Sequence, residues 1–190
     1  PDLYISNSVL SKHTQSYNYV MDRIHLHCEN THRARATRQE EGFIAQVNTI
    51  KNLADYACNR VTVQTFESLK NTPVAIVGAG PSLENSINIL SNLSDQIIVL
   101  AVDSALNILH SEGISPDGIV SIDAQKFCKS SIPDGMNPGI LFLSTKSPRD
   151  WSLNGSTTVF LSSNSLTEDW LAKEGLPKSS INCIGNCGVT

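Results

Sequence analysis

The sequence predicts an α/β fold, and two observations carry that prediction. After Asn71-Thr72-Pro73, short apolar runs alternate with stretches of helical length. The runs are almost wholly apolar, as in Val99-Leu100-Ala101-Val102, which suits strands buried on both faces of a parallel sheet. Strands alternating with helices give such a sheet, with helices covering both of its faces. The expected architecture is a Rossmann-like parallel sheet with flanking helices over residues 73–190, preceded by a helical segment over residues 1–72.

The elements follow in order. From Ser11 to Asn71 the chain is polar and free of proline, and its only glycine is Gly42. Phe43, Val47, Ile50, Leu53, Ala54 and Ala57 fall on one helical stripe, which predicts a long helix near residues 35–58. Val63, Phe66 and Leu69 predict a further helix on the same grounds. The apolar runs place strands at 74–77, 97–102, 119–122, 140–143, 159–161 and 181–184. Helices are expected between them at 82–93, 104–112 and 166–174. No internal repeat interrupts this pattern.

Bulk composition narrows the function classes. The chain has 190 residues, 40% hydrophobic and 17% charged, with a formal net charge of -4. A general nucleic-acid binder carries a basic surface instead. The five cysteines Cys28, Cys58, Cys128, Cys183 and Cys187 are odd in number and scattered. They form neither a disulfide framework nor a zinc-ligand pattern, so no metal site is expected from them, and a reducing compartment is. No run reaches the ~18 apolar residues that span a bilayer, and no charged-then-apolar leader opens the chain. A cytoplasmic protein is the expectation. The chain opens on Pro1 and stops at Thr190 inside a motif, which reads as a piece of a longer protein.

The strongest local signal is Val74-Ala75-Ile76-Val77-Gly78-Ala79-Gly80-Pro81-Ser82-Leu83. A strand runs into a glycine turn and a helix follows. Glycine supplies the positive φ values expected of such a turn and lets backbone approach a ligand. Pro81 suits the first helical turn, where its missing N–H costs nothing. The free N–H groups there, aided by the helix dipole, form an anion site, and the Ser82 hydroxyl adds a donor. Leu83 stands where a dinucleotide fingerprint has its third glycine, which argues against NAD or FAD. A turn without a ligand is the plain alternative.

Two acids end later strands. Asp103, with Ser104 beside it, closes the second strand, and Asp123, followed by Gln125, closes the third. Ligands of such sheets sit outside the carboxyl ends of strands, so both acids are candidate contacts to ribose, base or sugar. Asp103 is equally a candidate N-cap of the helix after it, and Asp117 reads as a turn residue. Mg²⁺ is compatible with one or two carboxylates plus phosphate oxygens. A second glycine turn, Gly185-Asn186-Cys187-Gly188, follows the last strand and is a candidate second wall, or a plain loop. The isolated histidines and the basic run His32-Arg33-Ala34-Arg35 offer no catalytic pair, and Trp151 and Trp170 read as packing anchors.

Gly78-Ala79-Gly80-Pro81-Ser82-Leu83, Ala101-Val102-Asp103-Ser104-Ala105-Leu106, Gly113-Ile114-Ser115-Pro116-Asp117 and Ser121-Ile122-Asp123 together resemble the motility accessory factor family in order and spacing. That resemblance covers residues 73–190. It implies a flagellin glycosyltransferase, with a CMP-activated nonulosonic acid as donor and a flagellin Ser/Thr as acceptor. The motifs are also similar to those of bacterial CMP-sialic acid sialyltransferases. The resemblance then implies that Gly78–Ser82 meet the CMP phosphate and that Asn186, Cys187 and Gly188 face the nucleotide. Ala79 departs from the asparagine usual there, and Cys187 replaces a serine, a weaker hydrogen-bonding group. The general base of those enzymes lies further downstream, so no catalytic residue is assigned. A third resemblance, to archaeal 6-hydroxymethylpterin diphosphokinase, implies ATP and Mg²⁺ instead. A non-catalytic nucleotide-binding module is the reading from another class.

Overall fold

A computed structural model describes residues 12–62, 71–137, 139–154 and 156–183, with the backbone alone described at 33–40. The chain divides into two compact units, residues 1–42 and 43–190. In the first, the described residues are helical almost throughout from Thr14, and Tyr19, Val20 and Leu26 are exposed. No described helix is long and apolar enough to cross a membrane.

The second unit is an α/β sheet domain. Helix α1 spans Thr14–Lys51, and its C-terminal part belongs to this unit. A bend at Asn52 leads into α2, Leu53–Cys58. Then come β1 (Val74–Val77), α3 (Ser82–Leu93), β2 (Ile98–Val102) and a 3₁₀ turn (Asp103–Ala105). Next are α4 (Leu106–Ser111), β3 (Gly118–Ser121), α5 (Cys128–Ser131), β4 (Ile140–Ser144), β5 (Thr157–Leu161) and α6 (Leu166–Lys173). The predicted strands and the helices at 82–93 and 166–174 are present with ends within two residues, save the predicted strand at 181–184, of which residues 181–183 are described and hold one bridge at Asn182. The helix expected from Val63, Phe66 and Leu69 lies outside the described residues.

The five strands are all parallel and follow in the order β1-β2-β3-β4-β5. Beyond β5, two separate segments share one further place. Arg60 bridges Phe160, and Asn182 bridges Ser162, both in parallel.

A strand order without reversal has a consequence for the faces. Right-handed crossovers between successive neighbours put every connecting helix on the same side. Val77, Val99, Ala101, Ile119, Leu141, Leu143 and Phe160 accordingly form one core with residues of α2, α3 and α4. The opposite face carries a smaller cluster around Val61, Phe142 and Leu161, and it opens toward β1, where Ile76 is 73% exposed. Among the described residues, helices α2, α3 and α4 pack on this one face of the sheet.

The stripe read from α1 and α2 is corrected. Phe43 is 77% exposed and Ile50 is exposed, whereas Asn48, Thr49, Asn52 and Tyr56 are buried. Residues 48, 52 and 56 recur once per turn on one face. That face meets carbonyl groups, so its side chains are polar. The Asn48 amide donates to the carbonyls of Ala124 and Lys146, and the Asn52 amide to those of Thr145 and Ser147.

Candidate nucleotide-phosphate site

The carboxyl ends of the strands meet on one rim. β1 delivers Gly78, β2 Asp103, β3 Asp123, β4 Thr145 and β5 Ser162. Val77 pairs with Ala101 and Val102 with Val120, so the glycine loop and the two aspartates stand on adjacent strands, each about 4.8 Å from the next.

The loop differs from its expected geometry. The described glycines with positive φ are Gly113, Gly135 and Gly175, so neither Gly78 nor Gly80 uses the left-handed region. Nor does packing require them. A Cβ on Gly78 would meet nothing within 4 Å, and one on Gly80 would meet only the Ser82 hydroxyl at 3.9 Å. Gly118 and Gly139 contrast with them. There a Cβ would stand 2.7 Å from Leu100 Cδ2 and 2.6 Å from the Asp117 carbonyl oxygen, respectively. The space above Gly78 and Gly80 is open to an outside group.

Gly78, Ala79, Gly80, Pro81 and Ser82 are exposed, while Leu83 turns inward to the core. Pro81 begins the helical turn with φ -58°, and Leu83 N–H closes it onto the Gly80 carbonyl at 2.9 Å. The first N–H groups of a helix have no carbonyl one turn earlier to receive them. Beside the loop, a groove of about 330 Å³ follows β1 and α3, lined by Ile76, Gly78, Ser82, Ile89 and Leu93 among others.

Asp103 is buried, and both of its carboxylate oxygens are engaged. Ser121 Oγ donates to Oδ2 at 2.8 Å, and Lys126 Nζ stands 2.5 Å from Oδ1. Its side chain does not cap the following helix; it begins a 3₁₀ turn and reaches sideways to β3. Ser104 is exposed. Asp123 is exposed, and its Oδ1 accepts from Gln125 N–H at 2.8 Å in a local turn. Asp117 lies at the opposite end of the sheet, where its carboxylate accepts from Val99 N–H. Asn186, Cys187 and Gly188 lie outside the described residues.

Three features escaped the sequence reading. Lys126 had no motif to mark it. Glu168 is buried in the rim under β4 and β5. It accepts from Thr145 Oγ1, Ser162 Oγ, and the hydroxyl and N–H of Ser163. Burial alone would raise its pKa, but these four bonds outweigh it and hold the carboxyl below the usual value. The signal for its helix start was present in Ser165-Leu166-Thr167-Glu168, a capping box, and Ser165 Oγ does accept from Glu168 N–H. The third feature is the Asn48–Asn52 pair on α1.

Residues 45–180 match the family model described as "6-hydroxymethylpterin diphosphokinase MptE-like". The chain belongs to the MptE-like family. The matched span runs from the end of α1 through α6, so the asparagine pair, the glycine loop, Asp103, Lys126 and Glu168 all fall inside the MptE-like domain. The chain is also similar to a solved structure titled "Structure of MAf glycosyltransferase from Magnetospirillum magneticum AMB-1". The TM-score is 0.49 at 20% identity, over 62% of this chain and 19% of that one. The MptE-like chain thus spans about a fifth of that protein. No curated protein matches it.

Among the described residues no three His, Cys, Asp or Glu side chains converge as a metal cluster, and Cys28, Cys58 and Cys128 are in no disulfide. Trp151 is fully buried, with Nε1 donating to the Lys126 carbonyl. Trp170, expected as a packing anchor, is corrected to an exposed position on α6.

Proposed function

We propose that this chain is the nucleotide-binding domain of a cytoplasmic transferase that seats a nucleotide phosphate on Gly78–Ser82. The donor is a CMP-activated nonulosonic acid and the acceptor a flagellin Ser/Thr hydroxyl. The observation that carries the reading is the pair Gly78 and Gly80. Neither needs glycine for its φ or for internal packing, yet both leave open space directly before the first turn of α3. A phosphate there meets backbone N–H groups, the positive helix end and the Ser82 hydroxyl. Such a site works by positioning the donor and by stabilising the charge of the departing CMP. Ser104, Asp123 and Gln125 on the neighbouring strand ends face the sugar, ribose or base. Asn186, Cys187 and Gly188 close the second wall.

The MptE-like family description supports nucleotide-phosphate chemistry at this loop, and it favours a second reading, an ATP- and Mg²⁺-dependent diphosphokinase. The Lys126 ammonium on Asp103 supports the CMP reading over it. A carboxylate already neutralised by an ammonium is a poor seat for a divalent cation, which prefers free carboxylate oxygens.

Thermal unfolding with CMP, CDP, ATP–Mg²⁺, NAD and buffer alone tests the choice. A ligand at a hundred times its Kd adds about 2.7 kcal/mol, worth roughly 5–10 °C in a chain of this size. A shift with CMP and not with ATP–Mg²⁺ is the expected result. A shift with ATP–Mg²⁺ alone would move the assignment to the diphosphokinase. Binding of CMP without sugar transfer by the full-length protein would make the domain a nucleotide-binding module.

A further inference from the structure

We propose that Lys126 is a phosphate-binding residue of this site, its ammonium presented to the anion by the buried Asp103 carboxylate. The inference rests on reading the rim as a nucleotide-phosphate site and adds to it a cation that no motif announces.

The geometry is that of a fixed charge. The Asp103 side chain is 2% exposed and that of Lys126 37%, so one partner is hidden while the other reaches solvent. A buried carboxylate needs its charge compensated, and the Lys126 Nζ at 2.5 Å does so. Ser121 Oγ holds the other carboxylate oxygen at 2.8 Å and sets its orientation. An ammonium has three donors, and Asp103 takes one of them.

The backbone of Lys126 is equally constrained. Its carbonyl accepts from the indole N–H of the buried Trp151 at 2.7 Å. Two residues earlier, the Ala124 carbonyl accepts from Asn48 at 3.0 Å. Two residues later, Cys128 N–H donates to Asp150 at 2.8 Å. These ties fix the backbone that carries the ammonium, and a charge held in place needs no reorganisation when an anion arrives. β2 lies between β1 and β3, and Asp103 turns its carboxylate to Ser121 on β3, so the ammonium meets the rim at the end of β2, one strand from the glycine loop.

Titration calorimetry of wild type, Asp103→Asn, Lys126→Met and the double variant, with CMP, cytidine, ATP and adenosine, tests this. Lys126→Met alone strands a buried carboxylate and is expected to destabilise the fold. The deciding comparison is therefore between Asp103→Asn and the double variant, both free of that charge. The double variant is expected to bind CMP about ten- to a hundredfold more weakly than Asp103→Asn, the loss of one charged hydrogen bond. Cytidine is expected to bind both alike. Equal CMP and ATP affinities in these two variants would overturn the role of Lys126 while leaving the rim reading intact. A wild-type protein that binds neither nucleotide better than its nucleoside would overturn both.

Discussion

The Asn52 side-chain amide donates at once to the Thr145 carbonyl at 3.0 Å and the Ser147 carbonyl at 2.8 Å. One turn earlier Asn48 does the same to Ala124 and Lys146, at 3.0 and 2.8 Å. Two amides on one helix face thus fasten the loops that leave β3 and β4. These loops form the part of the rim next to the proposed phosphate site, and their carbonyls would otherwise be buried without partners.

Asn52→Ala is expected to destabilise the domain by about 2–3 kcal/mol, because it orphans two buried carbonyls. Asn52→Asp is expected to be worse, since it aims an acceptor, and at neutral pH a charge, at two other acceptors. Urea unfolding of both variants measures the effect. A midpoint for Asn52→Asp equal to that of wild type would contradict the clamp.

Glu168 makes stability depend on acidity. Its folded pKa lies below the ordinary value of 4.5, because four hydrogen bonds to the carboxylate outweigh burial. A depressed pKa contributes stability above the unfolded value and loses it as pH falls through the folded one. Glu168→Gln should therefore be less stable than wild type at neutral pH, and the gap should narrow below pH 4.5. A gap that stays constant from pH 7 to pH 3 would show that the carboxylate charge is not what holds Thr145, Ser162 and Ser163.

The glycines separate binding from folding. Gly78→Ala and Gly80→Ala are expected to unfold at or slightly above the wild-type temperature, since each removes freedom from the unfolded chain at a site with room for a methyl group. Both should weaken nucleotide binding. Gly139→Ala is expected to destabilise strongly, because its Cβ would stand 2.6 Å from backbone. Gly118→Ala must push aside Leu100 and Phe142. Melting curves with and without CMP distinguish the two pairs, and a large loss of stability in Gly80→Ala would count against the loop as a ligand seat.

Cys128 is buried, and burial raises its thiol pKa, partly offset by a hydrogen bond from Asn154 and reinforced by the nearby Asp150 charge. The thiolate is the reactive form. Alkylation of the folded protein at pH 8 should therefore label the exposed Cys58 well before Cys128. Equal rates at the two positions would mean that the Cys128 region opens readily.

Much of this was legible in the chain. β1, the glycine loop and α3 were readable because a short apolar run, a turn and an amphipathic helix are local patterns. The polar face of α1 was not, because Asn48 and Asn52 are buried by carbonyls that come from residues 124–147, and hydrophobicity is blind to such partners. Lys126 was hidden for the same reason. Its meaning depends on Asp103, twenty-three residues earlier, which strand pairing alone brings alongside. The strand order β1-β2-β3-β4-β5 was not legible either, because it is not written in any single strand.

The last place in the sheet is filled by two pieces of chain made far apart. Val61 N–H donates to the Phe160 carbonyl, Ser180 N–H returns to the Val61 carbonyl, and Ser179 N–H reaches the Tyr56 hydroxyl. The segment after α2 thus emerges from the ribosome about a hundred residues before the strand that receives it. At roughly 5–20 residues per second, it waits on the order of 5–20 s without its neighbour. The helix that clamps the rim cannot dock in that interval either, since its acceptors lie at residues 124–147. Closure of this edge of the sheet is thereby tied to synthesis of the domain's later segments, and it is complete only once residues near 180 have left the exit tunnel.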